Sequence, residues 1–195
     1  MPKGGEQAWV ESLVGMITEL VRPLSADGVS TAACWGHKLA YTHEIDRYDA
    51  NDDPTSPPPR RYETDLLVYD EATDGGWIPR VVIECKVGSV TTHDALTYSS
   101  KAATHKHVHP YLRYGILVGG WEGGPLPARL VRHGAYFDFM AVFDGTDLTP
   151  DERAALGDIL LDEVRASRSL QNLLSDRTAG RPTYRILHRP LRLTT

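Results

Sequence analysis

Glu84 and Lys86 stand two residues apart inside Arg80-Val81-Val82-Ile83-Glu84-Cys85-Lys86-Val87, an apolar, strand-like run. Successive strand residues alternate faces, so Glu84 and Lys86 emerge side by side while Ile83, Cys85 and Val87 point the other way. A carboxylate and an ammonium on so apolar a strand are costly without a partner or a task. A second strand-like run, Asp65-Leu66-Leu67-Val68-Tyr69, lies upstream and opens on another carboxylate, with 18 residues between Asp65 and Glu84. If the two runs pair, Asp65 and Glu84 approach at one end, with Lys86 on the Glu84 face. Two close carboxylates repel, and a divalent cation between them resolves the repulsion. Oxygen donors without Cys or clustered His favour Mg²⁺ or Mn²⁺ over Zn²⁺. Such an ion holds water and a phosphate oxygen and acts as a Lewis acid while charge builds on the phosphoryl group. Lys86 can orient or help deprotonate the attacking water, and its ammonium stabilises the developing negative charge. The plainer alternative is an exposed Glu84–Lys86 salt bridge, a common surface feature contributing about 0–1 kcal/mol.

These side chains need elements to hold them. Val10, Leu13, Val14, Ile17, Leu20 and Val21 recur at helical spacing and predict a helix over 6–22, ended by Pro23. Residues 30–41 read as a strand weakened by Gly36, and 46–61, rich in Asp and Pro, as a loop. Strands over 64–70 and 79–87 are joined through a turn-rich hairpin connection at 71–76. Thr91 or Thr92 caps a helix running to about His107 and stopped by Pro110, and 113–118 is a short buried strand. A glycine-rich loop over 119–125, a short helix at 128–133 and a strand at 136–143 follow. Thr149-Pro150-Asp151-Glu152 starts a last helix reaching Leu174. Residues 184–193 read as an extended end. A helix between two strands calls for parallel pairing, whereas the hairpin calls for antiparallel pairing. The expected fold class is therefore α/β, a mixed sheet flanked by helices.

Thr64-Asp65 followed by Ile83-Glu84-Cys85-Lys86, on two consecutive strands ahead of a helix, resembles the PD-(D/E)xK nuclease superfamily. The expected order, helix, three strands, helix, strand, is similar to the αβββαβ core of that restriction-endonuclease-like fold. The resemblance covers about 6–118, within a single domain of 195 residues whose segment 125–195 forms C-terminal additions. It implies Asp65 and Glu84 as metal ligands, the backbone carbonyl of Cys85 as a further ligand, and Lys86 as the catalytic lysine. The implied cofactor is Mg²⁺, with Mn²⁺ able to substitute. Thr64 stands where the motif name has proline, a position that carries no catalytic atom. Some members add a glutamate from the first helix. Here Glu6 lies on the apolar stripe but at a fraying end, Glu11 lies outside it and Glu19 points nearly opposite, so none is assigned. The helix at 92–107 would flank the site, its Lys101 and Lys106 suited to DNA phosphate contacts. The activity implied is that of a Mg²⁺-dependent endodeoxyribonuclease, most like a type II restriction enzyme. A structure-specific repair or recombination nuclease and a non-catalytic DNA-binding domain on the same fold are the alternatives. Cutting both strands of a duplex favours a homodimer.

Composition bounds these expectations. Hydrophobic content of 41% and charged content of 24% are ordinary for a soluble globular protein. No run approaches the roughly 20 apolar residues of a membrane span, and no apolar leader segment opens the chain, so a cytoplasmic location without membrane contact is expected. The net charge of −5 argues against a polyanion as partner. Its distribution argues the other way: 95–121 lacks acids but holds Lys101, Lys106, Arg113 and His105, His107 and His109. Arg177, Arg181, Arg185, Arg189 and Arg192 follow the last acid, Asp176. Screening limits charge interactions to about 10 Å, so a local basic face attracts DNA whatever the total. His105 and His109 are spaced i, i+4, but no third zinc ligand follows at matching spacing, so the three histidines read as partly exposed basic surface. Tyr98 and Tyr111 read as packing residues, and Cys34 and Cys85, both in strand-like runs, as buried thiols.

Overall fold

Alternating apolar residues build the centre of the molecule. The computed structural model describes residues 3–175, 185–188 and 191–193. Its main sheet has five strands: β1 (Val29–Trp35), β6 (Leu66–Ala72), β7 (Trp77–Val87), β8 (Arg113–Gly119) and β9 (Phe139–Val142), in the order β1-β6-β7-β8-β9. The first three run antiparallel, and β7, β8 and β9 run parallel, so the sheet is mixed, as expected from one hairpin and one helical crossover. Leu66, Val68, Val81, Ile83 and Cys85 pack on one face with Leu13, Ile17, Leu156 and Leu160. Leu67, Val82, Tyr114, Ile116 and Val118 pack on the other with Ala95, Ala102 and Leu130.

Helices α1 (Lys3–Val21) and α4 (Pro150–Ser175) supply the first layer, and α2 (Thr92–Val108) and α3 (Ala128–His133) the second. In α1, Trp9, Leu13, Ile17 and Val21 are all buried at four-residue spacing. α2 starts on a capping box: Thr91 accepts from the Asp94 N–H, while the Asp94 carboxylate accepts from the Thr91 N–H. None of the helices among the described residues is long and apolar enough to cross a membrane.

Three expectations are corrected. The strand read over 30–41 is two strands, β1 and β2 (Lys38–Thr42), because Gly36 takes φ 65° and turns the chain out of the sheet. β2 pairs instead with β5 (Arg60–Glu63), and a short hairpin, β3 (Arg47–Tyr48) with β4 (Pro54–Thr55), interrupts the loop read over 46–61. The strand read over 136–143 is confined to Phe139–Val142. Cys34 and Cys85 are both free, but only Cys85 is fully buried. Of the extended end read over 184–193, Tyr184, Arg189 and Pro190 lie outside the described residues, and 185–188 and 191–193 carry no helix or strand. Arg177 and Arg181 also lie outside them, while Arg192 pairs with Asp162 of α4 at 3.1 Å.

Candidate active site

The β2–β5 arm delivers the chain to the site. Thr64 donates to the His37 carbonyl from both its N–H and its Oγ1, each at 2.9 Å, and so fixes the residue ahead of Asp65. Asp65 stands one step before β6, whose Leu66 lies opposite Ile83 of β7; the next step sets Asp65 beside Glu84. Its Oδ2 accepts from the Cys85 N–H at 2.8 Å, a side chain taking over where the strand ladder ends. Among the described residues Oδ1 takes no hydrogen bond. Burial raises the Asp65 pKa; the Cys85 N–H and the charges of Lys101 and Lys86 oppose the rise, and Glu6 adds to it.

Glu84 is fully buried, on the sheet face that α2 covers. It does not pair with Lys86. Its partners are Lys101, whose Nζ lies 2.9 Å from Oε1 and 3.2 Å from Oε2, and Tyr114, whose hydroxyl donates to Oε1. Burial drives the Glu84 pKa up; Lys101 pulls it down, the Asp65 charge adds to the rise, and Tyr114 opposes it. The idea of an exposed Glu84–Lys86 salt bridge therefore fails.

Lys86 turns to the neighbouring helices. Its Nζ is 3.4 Å from each carboxylate oxygen of Glu6, and it sits 5.5 Å from the centre of the Tyr98 ring. Burial works against its charge, but Tyr98, Glu6 and Asp94 together hold its pKa above the ordinary lysine value. Glu6 reaches this point because α1 begins at Lys3, a turn further out than the sequence suggested. Its place on the apolar stripe was the signal for it, set aside because it fell near the helix end. Tyr114 lies inside a strand-like run and gave no signal beyond its alternation with Gly115.

The site thus gathers Asp65, Glu84, Cys85 and Lys86 and adds Glu6, Tyr98, Lys101 and Tyr114. Lys101, expected to suit DNA phosphate contacts, is here a partner of Glu84, its side chain only 17% exposed. Lys106 lies elsewhere: its Nζ donates to the Tyr136 carbonyl and bridges to Asp138, each at 2.7 Å. Arg113 pairs with Asp138 at 3.0 Å and with Glu163 of α4. All three basic residues of the acid-free stretch are therefore paired, and the basic face inferred from it is absent there. His105 is also corrected. It is fully buried, stacked on Tyr114 at 5.7 Å and set edge-on to Tyr62 at 5.9 Å, whereas His107 is exposed.

The carboxyl groups of Glu6, Asp65 and Glu84 face the amino groups of Lys86 and Lys101, one more acid than base by formal count. Two carboxylates and a main-chain carbonyl suit Mg²⁺, which keeps several waters and takes further oxygens from a substrate phosphate. Among the described residues no group of three or more His, Cys, Asp or Glu side chains is gathered to hold a metal alone. The donor set fits an ion held partly by water and substrate and does not fit a closed zinc site. The chain matches no family model, and no curated protein matches it in sequence.

Proposed function

We propose that the protein is a Mg²⁺-dependent nuclease that hydrolyses DNA phosphodiester bonds, with Asp65, Glu84 and the Cys85 carbonyl as cation ligands and Lys86 as the lysine at the attacking water. The observation that carries this reading is the meeting of Asp65 with the Glu84-Cys85-Lys86 run where β6 begins and β7 ends. The bound cation would supply Lewis-acid chemistry at the phosphoryl oxygen. Asp65 contributes a carboxylate already oriented by the Cys85 N–H. Tyr114 fixes Glu84, and the α2 layer keeps water from it. Lys86, held by Glu6 and only 20% exposed, keeps an ammonium at the mouth of the site, where charge develops during hydrolysis. A duplex-cutting enzyme of this size would act as a homodimer, one site per strand.

The test is incubation of purified protein with plasmid and genomic DNA, with Mg²⁺ or with EDTA. Discrete fragments indicate a restriction-type enzyme, a smear a less selective nuclease, and cutting confined to branched substrates a structure-specific one. Asp65→Asn and Lys86→Ala are expected to lower the rate by at least about a hundredfold, the usual scale for losing one oriented electrostatic or acid–base group. Sedimentation with duplex and Ca²⁺ should show a dimer. Binding without metal-dependent cutting on any of these substrates would refute the enzymatic reading and favour a DNA-binding domain.

A further inference from the structure

We infer that Lys101 is a built-in counter-ion for Glu84, which a divalent cation must displace in order to bind; this rests on the nuclease reading above. Lys101 comes from the middle of α2, three residues after Tyr98 and four before His105. Its Nζ meets three acceptors: Glu84 Oε1 at 2.9 Å, Glu84 Oε2 at 3.2 Å and the Glu63 carbonyl at 2.9 Å. Hydrogen bonds to Glu84 Oε2 and the Glu63 carbonyl engage two of its three N–H donors, and the ion pair with Oε1 holds the ammonium against the same carboxylate. The amine also lies 5.9 Å from the Tyr62 ring centre and 6.0 Å from that of Tyr98, two rings that favour a cation between them.

The arrangement answers a definite need. A fully buried carboxylate without a counter-charge is strongly destabilising, and Lys86, held by Glu6, does not supply one. Lys101 does, and its charge reaches Asp65 as well. A divalent ion on the same carboxylate would bring two cations within a few ångströms of each other in a poorly hydrated place, where repulsion is large. Loading the ion therefore requires Lys101 to leave Glu84. It keeps the Glu63 carbonyl as an anchor, and its released N–H donors turn to the phosphate side. Lys101 weakens metal binding and stabilises the metal-free protein.

Mn²⁺ titration, read from the electron paramagnetic resonance signal of free Mn²⁺, tests this on the full chain. Wild type, Lys101→Met, Lys101→Arg and Asp65→Asn are compared in mildly alkaline buffer, with thermal melts alongside. Lys101→Met is expected to bind Mn²⁺ at least about tenfold more tightly, Lys101→Arg to restore weak binding, and Asp65→Asn to lose it. The melting temperature of Lys101→Met should rise more on adding Mn²⁺ than that of wild type, which a merely structural role would not produce. If Lys101→Met does not fold, acetylation of the wild-type lysine carries the test: Lys101 should be protected without Mn²⁺ and reactive with it. Equal affinities in wild type and Lys101→Met, both lost in Asp65→Asn, or an acetylation rate that Mn²⁺ leaves unchanged, would overturn the counter-ion role and spare the nuclease reading. Absence of any Asp65-dependent Mn²⁺ binding would overturn both.

Discussion

His105 makes a pH-dependent contribution to stability whose size follows from its surroundings. It lies on the inner face of α2 with no exposed surface, and neither ring nitrogen makes a hydrogen bond of normal geometry. Burial lowers its pKa from 6.5 to about 4; the backbone of Leu39 offers partial compensation, and the charges of Lys101 and His109 act with burial. The folded protein therefore holds the imidazole neutral where the unfolded chain would protonate it. A depressed histidine pKa costs nothing above the unfolded value of 6.5 and costs progressively more as the pH falls towards 4. Each pH unit inside that window removes up to about 1.4 kcal/mol, so the whole window removes about 3 kcal/mol. His105→Phe keeps a ring stacked on Tyr114 but binds no proton. Urea unfolding of both proteins at a series of pH values isolates the effect, because protonation of carboxylates is common to the two. Near neutrality the stabilities should differ little. Below the ordinary histidine pKa the wild type should fall away from the variant by about 3 kcal/mol. Parallel stability curves for the two proteins down to pH 4 would show that His105 takes up its proton without loss of the fold.

Two further perturbations probe the frame around the site. Asp70, buried at the far end of β6, is bridged by Arg80 at 2.7 Å and by Arg168 at 2.7 Å. Burial pushes its carboxyl up, but Arg168, Arg80 and Thr31 more than offset this and hold it below the usual aspartate value. Arg80→Ala breaks a pair whose side chains are 6% and 4% exposed, and a loss of about 3–5 kcal/mol in chemical denaturation is expected. Because the Asp70 pKa is depressed, its ionic stabilisation is present above the unfolded value of 3.8 and lost as pH falls below it, so the variant's deficit should shrink in acid. A deficit that is constant with pH would refute that assignment. Gly115→Ala would set a Cβ 2.2 Å from the Phe139 ring, so β9 must shift away from β8. The expected cost is about 1–3 kcal/mol, read as a lower melting temperature, and an unchanged melt would refute the close packing.

Much of the frame could be read locally. The strand around Val81–Val87, the strand after Arg113 and the two long helices are set by continuous apolar runs and by caps such as Thr91 with Asp94, signals carried within a few residues. The division of 30–41 could not be read that way. It depends on β2 leaving the sheet to pair with Arg60–Glu63, a largely exposed strand that shows no hydrophobic period. In the site, Asp65, Glu84 and Lys86 were legible because strand periodicity and spacing are local. The partners were not. Glu6 meets Lys86 across 80 residues and Glu84 meets Tyr114 across 30. The acid-free stretch misled for the same reason: Asp138 and Glu163, which neutralise Lys106 and Arg113, come from other elements.

The charge arrangement would also order the events that the proposed function requires. Lys86 is committed to Glu6 and Lys101 to Glu84, whereas Asp65 is held by an uncharged N–H and has one oxygen without a hydrogen bond among the described residues. On the nuclease reading, an arriving cation would meet the least resistance at Asp65, because there it displaces no ammonium. Moving on to Glu84 would require Lys101 to withdraw, because at 4 Å the repulsion between a divalent ion and an ammonium is about 8 kcal/mol for an effective dielectric constant near 20. A substrate phosphate would lower that cost in two ways, by adding oxygen ligands to the ion and by accepting the hydrogen bonds that Lys101 gives up. Metal affinity should therefore rise when a non-cleavable DNA duplex is present, and this gain should be smaller in Lys101→Met. A gain of equal size in both proteins would show that substrate and lysine act on the ion independently.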